Sequence, residues 1–200
     1  MKNRTEIKAI VFDFFGVICS EVGPFWFQKY FPEKEARRLK DFYAQLADLG
    51  EVSGDELFSN LAALAHKTPI EVSDEFQSFV KLNSEVIELI KRLRPFYKLG
   101  LCSNSSSSFI RSILKSQRLG DIFDVVVISS ECGVIKPDER IYKLVLEKLA
   151  VQAENSIFID DSPINIEGAQ SVGMKGVIFS DFQELNLVFA RLGIKTSSKV

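Results

Sequence analysis

The sequence predicts an α/β fold, in which helices cover both faces of a parallel sheet and a small α-helical cap is inserted after the first strand. Short apolar runs alternate with amphipathic helical patterns along most of the 200 residues. The runs are nearly continuous in apolar character, which is typical of strands buried on both faces of a parallel sheet. The stretch 20–80 interrupts this alternation, because it carries helical patterns and no convincing strand.

Strand and helix patterns follow each other in regular order outside that stretch. Strands are predicted at residues 7–12, 99–102, 125–128, 157–159 and 176–179. Helices are predicted at residues 84–93, 107–117, 139–149 and 163–172. Strands that alternate with helices build a parallel sheet, whose ligands bind at the carboxyl ends of the strands.

The interrupting stretch is interpreted as a cap that sits above the strand ends. Ser53 and Glu56 have the spacing of a capping box, as do Thr68 and Glu71, so a helix begins at each pair. A cap in this position would exclude water from a site at the strand ends. The alternative is that these helices only cover the sheet. The expected division is a core of residues 1–19 and 81–200 and a cap of residues 20–80.

Composition and charge exclude several classes of protein. The net charge is −2 and the pI is about 5.6, so no basic field points to nucleic acid. No apolar run approaches the ~18 residues of a membrane span. The first six residues lead directly into a strand, unlike a signal peptide, and the three cysteines lack CxxC spacing. We therefore expect a cytoplasmic protein with reduced thiols and with no nucleic-acid or membrane partner.

Polar residues stand at the ends of the predicted strands. Asp13 ends the first strand, where a carboxylate can attack phosphorus and form an acyl-phosphate. Ser103 follows the second strand and can bind phosphate oxygens, and Asn104 adds an amide donor. Lys136 offers a compact positive charge that suits a phosphate oxygen. Taken singly, these residues also fit a strand-end turn, a helix cap and a solvated lysine, so their shared placement carries the prediction of one site.

Asp160 and Asp161 are adjacent carboxylates at the end of another predicted strand. Such neighbours repel each other unless a cation is present. Mg²⁺ prefers oxygen ligands and is held by one or two carboxylates together with waters and substrate phosphate. The pair therefore predicts a Mg²⁺ site, to which Asp13 can add its second oxygen. The alternative is a solvated acidic loop.

Taken in order, these residues resemble the motifs of the haloacid dehalogenase superfamily of hydrolases, and the resemblance covers nearly the whole chain. It implies a Rossmann-like core with an inserted helical cap, and an enzyme that hydrolyses phosphoric monoesters. It implies that Asp13 is the nucleophile and that a small phosphorylated molecule is the substrate. The substrate-binding residues it implies are Ser103, Asn104 and Lys136, of which Ser103 and Lys136 also count as catalytic. The implied metal ligands are Asp13, the backbone carbonyl of Phe15, Asp161 and, directly or through water, Asp160.

One position departs from the pattern of that family. Phosphatases of the family usually place a second Asp where this chain has Phe15, and that Asp serves as general acid and base. Loss of such help typically costs about 10²–10⁴-fold in rate. The segment Asp13–Phe14–Phe15–Gly16–Val17–Ile18 resembles the branch of small-sugar phosphatases that includes α-glucose-1-phosphate phosphatase. A glycosyl phosphate has a better leaving group than an alkyl phosphate and depends less on an acid.

Two other interpretations stay open. A 2-haloacid dehalogenase tolerates an aromatic residue at the Phe15 position and needs no metal, but it carries uncharged residues where this chain has Asp160 and Asp161. A catalytically weak binding or regulatory protein of the same fold would explain Phe15, although Asp13 and Lys136 are intact. The sequence is compatible with a monomer or a homodimer.

Overall fold

The computed structural model describes residues 6–196 and contains one sheet of five parallel strands. The strands are β1 Ala9–Phe12, β2 Lys98–Ser103, β3 Val125–Ile128, β4 Ser156–Asp160 and β5 Lys175–Ile178. Their order across the sheet is β3-β2-β1-β4-β5, and each neighbouring pair runs parallel. The predicted α/β fold class is confirmed. Most of the N-terminal segment that was contrasted with a signal peptide lies outside the described residues.

Ten α-helices connect and cover these strands within residues 6–196. They are α1 Gly23–Tyr30, α2 Glu33–Asp48, α3 Gly54–Ala65, α4 Pro69–Ser78, α5 Ser84–Leu93, α6 Ser107–Ser116, α7 Ser129–Cys132, α8 Glu139–Leu149, α9 Pro163–Ser171 and α10 Phe182–Leu192. Helix α10 is not among the helices predicted from the sequence. Its limits carry ordinary signals, because Asp181 accepts a hydrogen bond from the Glu184 N–H and Gly193 ends the helix with φ of 71°.

Both faces of the sheet are buried beneath helices. All residues of β1 and β4 are buried, as expected of central strands in a parallel sheet. Ile10 and Phe12 pack with α5, α6 and α10 on one face, while Ala9 and Val11 pack with α8 and α9 on the other. Each large apolar side chain buried in this way contributes roughly 1.5–3 kcal/mol.

Helices α1 to α4 have an apolar cluster of their own. Trp26 lies at its centre, fully buried with Phe27 and Leu61 beside it. Both predicted capping boxes are present at the beginnings of α3 and α4. Phe15 and Phe109 pack against this cluster and also against the sheet cluster, so they join the two apolar regions.

Two short segments connect helices α1 to α4 to the sheet, and they lie side by side. The Ser20 N–H donates to the Lys81 carbonyl at 2.9 Å, and the Asn83 N–H donates to the Ile18 carbonyl at 2.8 Å. The chain therefore leaves the sheet and returns to it at nearly the same place. Within the described part of the chain, no helix is long and apolar enough to cross a membrane.

The strand order places β1 at a switch in the direction of the chain. From β1 the chain first proceeds through β2 to β3 on one side, and then crosses to β4 and β5 on the other. A crevice opens at the carboxyl ends of the strands at such a point, and ligands of α/β proteins bind there. The carboxyl ends of β1, β2 and β4 carry Asp13, Ser103 and Asp160.

Candidate active site

Asp13 follows β1 directly and is held in place by its backbone and one carboxylate oxygen. Its N–H donates to the Ile159 carbonyl at 2.8 Å, which extends the pairing of β1 with β4. Its Oδ1 accepts the Phe14 N–H at 2.6 Å and lies 2.8 Å from Lys136 Nζ. No residue in the described range donates a hydrogen bond to Oδ2, so one oxygen of this buried side chain is free to react or to bind a metal.

Lys136 bridges two buried carboxylates. Its Nζ lies 2.8 Å from Asp13 Oδ1 and 2.6 Å from Asp160 Oδ2, and its side chain is 1% exposed. Burial opposes its charge, but Asp13 and Asp160 more than offset that effect and raise the pKa of Lys136 above its ordinary value. Burial raises the pKa of Asp13 to about 7 against the opposing effect of Lys136, and Asp160 adds to the rise. Three carboxyl groups, those of Asp13, Asp160 and Asp161, thus lie around one lysine, and their mutual repulsion favours a further cation.

Asn104 fixes the backbone around Lys136. Its side-chain amide donates to the Lys136 carbonyl at 3.0 Å, and its Oδ1 accepts the Lys136 N–H at 2.8 Å. Asn104 also lines the cavity described below. Both ends of its amide thus bind the Lys136 backbone, and these contacts hold the loop that carries Lys136 beside the end of β2.

Ser103 ends β2 with its side chain fully buried. Its Oγ is the one buried side-chain nitrogen or oxygen in residues 6–196 that has no hydrogen-bond partner. A buried hydroxyl without a partner costs free energy, and native proteins rarely leave one so. An orphaned donor at the carboxyl end of a central strand fits a site that a phosphate oxygen completes.

Asp160 and Asp161 have different environments although they are neighbours. Asp160 is fully buried and accepts the Ser162 N–H at 2.9 Å and the Asn165 side chain at 3.0 Å, besides Lys136. Asp161 is exposed and its carboxylate faces Gly16. Burial and the charge of Asp160 raise the pKa of Asp161 above its usual range. Asp160 therefore organises the site, and Asp161 is the carboxylate that is open to a ligand.

Asp13, Asp160 and Asp161 form a group that could hold a metal ion. One oxygen from each side chain lies within 4.8 Å of the others. Carboxylate oxygens are the ligands that Mg²⁺ prefers, and a bound cation would relieve the surplus negative charge. The donor set thus fits the ion that the sequence analysis predicted.

Phe15 lies where the family pattern would place an acid. Its ring stacks on Phe109 of α6 with centroids 6.2 Å apart, and it meets Phe14 edge-on at 5.1 Å. Phe109 in turn contacts Phe58 and Phe76 in edge-to-face geometry. The side chain at this position thus joins an aromatic group that reaches from the loop after β1 into helices α3 and α4.

A cavity of about 400 Å³ lies between the strand ends and helices α1 to α3. Its floor includes Asp13, Lys136 and Asp161, and Phe15, Phe58 and Phe109 line part of its wall. Three further charged residues line it that are not predicted from the sequence, namely Glu21, Lys40 and Asp48. Their positions give no local signal, because Lys40 and Asp48 reach the cavity only through the packing of α2 over the strand ends, and Glu21 reaches it from the segment before α1.

Comparison with known proteins places the chain among hydrolases. A family model described as haloacid dehalogenase-like hydrolase matches residues 7–173. The chain is 29% identical to a phosphorylated carbohydrates phosphatase of Thermotoga maritima, over 87% of each protein. It is 37% identical to a phosphatase of Mycobacterium tuberculosis over 82 residues, which is 40% of this chain and 38% of that protein. It is 24% identical to an (S)-2-haloacid dehalogenase of Pseudomonas putida over 86% of this chain and 83% of that one.

Solved structures share the same fold. A predicted hydrolase of Porphyromonas gingivalis has a TM-score of 0.79 and 24% identity, over 94% of this chain and 98% of that one. An enzyme of Bacteroides thetaiotaomicron, solved in complex with magnesium and inorganic phosphate, has a TM-score of 0.76 and 24% identity, over 90% and 98% of the two chains. These similarities support the assignment of the fold.

Proposed function

The chain belongs to the haloacid dehalogenase-like hydrolases, and from its site we propose that it is a Mg²⁺-dependent phosphatase of small phosphorylated metabolites. The observation that carries the proposal is the setting of Asp13. One of its oxygens is fixed by Lys136 and a backbone N–H, and the other is free. Asp13 also belongs to the group that could hold a metal. That setting suits a carboxylate that attacks phosphorus.

Each residue of the site has a task in this reaction. The Asp13 carboxylate attacks the phosphorus atom and forms an aspartyl-phosphate, which water then hydrolyses. Lys136 and the Ser103 hydroxyl hold phosphate oxygens, and Asn104 keeps the Lys136 loop in position. Mg²⁺ held by Asp13, Asp161 and the Phe15 carbonyl, with support from Asp160, would neutralise phosphate charge.

Sugar phosphates are the substrate class we propose first. The relative from Thermotoga maritima is named as a phosphatase of phosphorylated carbohydrates, and the nucleophile segment resembles the small-sugar branch. Helices α1 to α4 would act as the cap that closes over the substrate and selects it, because α1, α2 and α3 supply most of the upper cavity wall. Phe15 cannot donate a proton, so a sugar phosphate with a good leaving group would react fastest.

Phosphate release from p-nitrophenyl phosphate tests the proposal. Wild-type protein should release phosphate with Mg²⁺ and stop when EDTA is added. Asp13→Asn should lose turnover while its melting temperature stays near that of wild type, because the fold does not depend on the nucleophile. Asp74→Asn, which changes an exposed carboxylate on α4, is the matched control and should behave as wild type. Full activity in Asp13→Asn would eliminate the aspartyl-phosphate route.

A dehalogenase is the second candidate, favoured by the likeness to the Pseudomonas putida enzyme and by the aromatic residue at position 15. The acidic group of Asp13, Asp160 and Asp161 argues against it, because an anionic substrate without a metal would be repelled. Chloride release from 2-chloropropionate that is indifferent to EDTA would favour the dehalogenase. Inactivity towards both substrates would favour the binding or regulatory protein.

A further inference from the structure

The cavity holds a carboxyl group that the reaction described above leaves unused. Four acidic side chains line it, namely Asp13, Glu21, Asp48 and Asp161. Asp13 is the proposed nucleophile, and both Asp13 and Asp161 belong to the group that could hold a metal. Glu21 is exposed, although burial of part of its side chain together with the charge of Asp161 raises the pKa of Glu21 above its ordinary value. Asp48 is half-buried, and it lies on a different element from the metal group.

The local structure gives no reason for an aspartate at position 48. It is the last residue of α2, where a negative charge is opposed by the helix dipole. Its carboxylate makes no hydrogen bond and no ion pair with any residue in the range 6–196. A half-buried carboxyl group that lines the cavity and has no protein partner is accessible to a ligand bound there.

The turn after Asp48 packs tightly on the core and fixes its position. Gly50 has φ of 74°, and a β-carbon there would lie 2.6 Å from the Ser130 carbonyl oxygen. A β-carbon on Gly54 would overlap the Ser108 hydroxyl. The turn between α2 and α3 therefore lies directly against α6 and α7, which keeps Asp48 at the edge of the reaction cavity.

The surroundings of Asp48 allow it to be partly protonated near neutral pH, so it can both give and take a proton there. Burial raises the pKa of Asp48 to about 7, against the opposing charges of Lys136 and Lys40, and Glu21 adds to the rise. Tyr43 of the same helix lines the cavity as well, together with Asp13 and Asp161 from the strand ends. On α7, Glu131 is turned away and pairs with Arg111 of α6 at 2.8 Å.

We propose that Asp48 donates the proton to the leaving-group oxygen and then accepts one from the attacking water, the two tasks that Phe15 cannot perform. The proposal rests on the phosphatase function. It places at the end of α2 the catalytic carboxyl group that is missing at position 15, after β1.

The proton transfers balance in both half-reactions. In the first, an Asp13 oxygen bonds to phosphorus, the bond from phosphorus to the leaving oxygen breaks, and that oxygen takes its proton from the Asp48 carboxyl. In the second, water oxygen bonds to phosphorus and gives a proton to the Asp48 carboxylate. The bond from phosphorus to Asp13 then breaks, which restores the Asp13 carboxylate and releases phosphate.

Two aryl esters of similar shape test this role. Phenyl phosphate has a much poorer leaving group than p-nitrophenyl phosphate, so its cleavage depends more on an acid. Phosphate release from both would be measured with saturating Mg²⁺ in wild type, Asp48→Asn, Asp48→Glu and Glu51→Gln. Glu51→Gln is the matched control, because it removes an exposed carboxylate three residues further on that does not line the cavity.

Asp48→Asn should lose about 10²-fold or more in kcat/KM with phenyl phosphate and only a few-fold with p-nitrophenyl phosphate. Asp48→Glu should recover part of the loss, and Glu51→Gln should match wild type on both. With phenyl phosphate, the ratio of the wild-type rate to the Asp48→Asn rate should fall as pH rises above about 7, where Asp48 loses its proton; titration of Asp13, whose pKa is also about 7, affects both proteins and cancels in the ratio.

Equal losses on both esters would overturn the proposal, because they would indicate a role in folding or binding. No loss on either ester would overturn it too. Absence of Mg²⁺-dependent release from both esters in wild type would instead refute the phosphatase function itself.

Discussion

A β-carbon on Gly16 would overlap the carboxylate of Asp161. The loop after β1 and the loop after β4 therefore approach each other so closely that only a glycine fits between them. Gly16 also has φ of 79°, a conformation that other residues rarely adopt. The geometry of the metal group thus depends on a residue that carries no ligand atom.

Gly16→Ala should weaken the metal site before it affects the rest of the fold. The added methyl group displaces Asp161, so we expect the Mg²⁺ concentration for half-maximal phosphate release to rise by about 10–100-fold, the range seen when groups beside metal ligands are disturbed. Gly120→Ala is the control, because a β-carbon there meets no atom within 4 Å. An unchanged Mg²⁺ dependence in Gly16→Ala would contradict the assignment of Asp161 as a ligand.

Lys136→Gln should lower the free energy of unfolding measured in urea. The change leaves Asp13 and Asp160 buried without their shared cation, and breaking such a buried arrangement costs about 3–5 kcal/mol. Lys115→Gln, at an exposed position on α6, should cost almost nothing.

Addition of Mg²⁺ should then stabilise Lys136→Gln more than it stabilises wild type. In the variant the ion replaces the missing positive charge as well as filling its own site, and a ligand that binds the native state raises its stability. Equal stabilisation by Mg²⁺ in the two proteins would show that Lys136 and the bound ion do not compensate the same negative charge.

The sheet and the strand-end residues could be predicted because their signals are local. Buried strands read as continuous apolar runs, and polar residues that directly follow them must lie at one edge of a parallel sheet. Asp13 and Asp160 meet at that edge in this way, and Lys136 reaches them from the loop after α7. Strand limits differ by no more than two residues, which is the usual uncertainty at the ends of an element.

The upper wall of the cavity could not be predicted, because it depends on how α1 to α4 pack against the core. Asp48 and Lys40 lie on a helix whose sequence shows only an amphipathic pattern, and nothing local tells which polar residue faces the strand ends. The contact of Asn104 with the Lys136 backbone was likewise beyond the sequence. A polar residue after a strand can bind substrate, hold a loop or do both, and the sequence does not tell which backbone groups its amide reaches.

Phe15→Asp should restore an acid at the position where the family usually has one. We expect it to speed hydrolysis of phenyl phosphate more than that of p-nitrophenyl phosphate, and to compensate in part for Asp48→Asn when the two changes are combined. Because Phe15 stacks on Phe109, the variant also loses packing, so its melting temperature must be measured beside its rates. Phe15→Leu is the control, since it removes the ring without adding an acid. An equal effect of Phe15→Asp on both esters would contradict the missing-acid argument.

Glu75→Gln should destabilise the protein at neutral pH and lose this effect in acid. Glu75 accepts hydrogen bonds from Trp26 at 2.9 Å and from the Tyr30 hydroxyl at 2.6 Å, and it pairs with Lys29 at 3.0 Å. Burial opposes its charge, but these donors lower the pKa of Glu75 to about 2. Since the pKa is lower in the folded than in the unfolded state, Glu75 contributes stability above about pH 4.5, and the contribution fades as pH falls towards 2.

The urea-derived free energy of unfolding would be compared between wild type and Glu75→Gln at several pH values. We expect a difference of roughly 1–3 kcal/mol at pH 7, because one charged acceptor serves several partly buried donors, and a shrinking difference below about pH 4.5. Glu88→Gln is the control, because its pair with Lys91 on α5 is exposed and contributes little. If the difference between wild type and Glu75→Gln stayed constant with pH, the charge of Glu75 would not be what holds α1 against α4. The apolar cluster around Trp26 would then carry that contact alone.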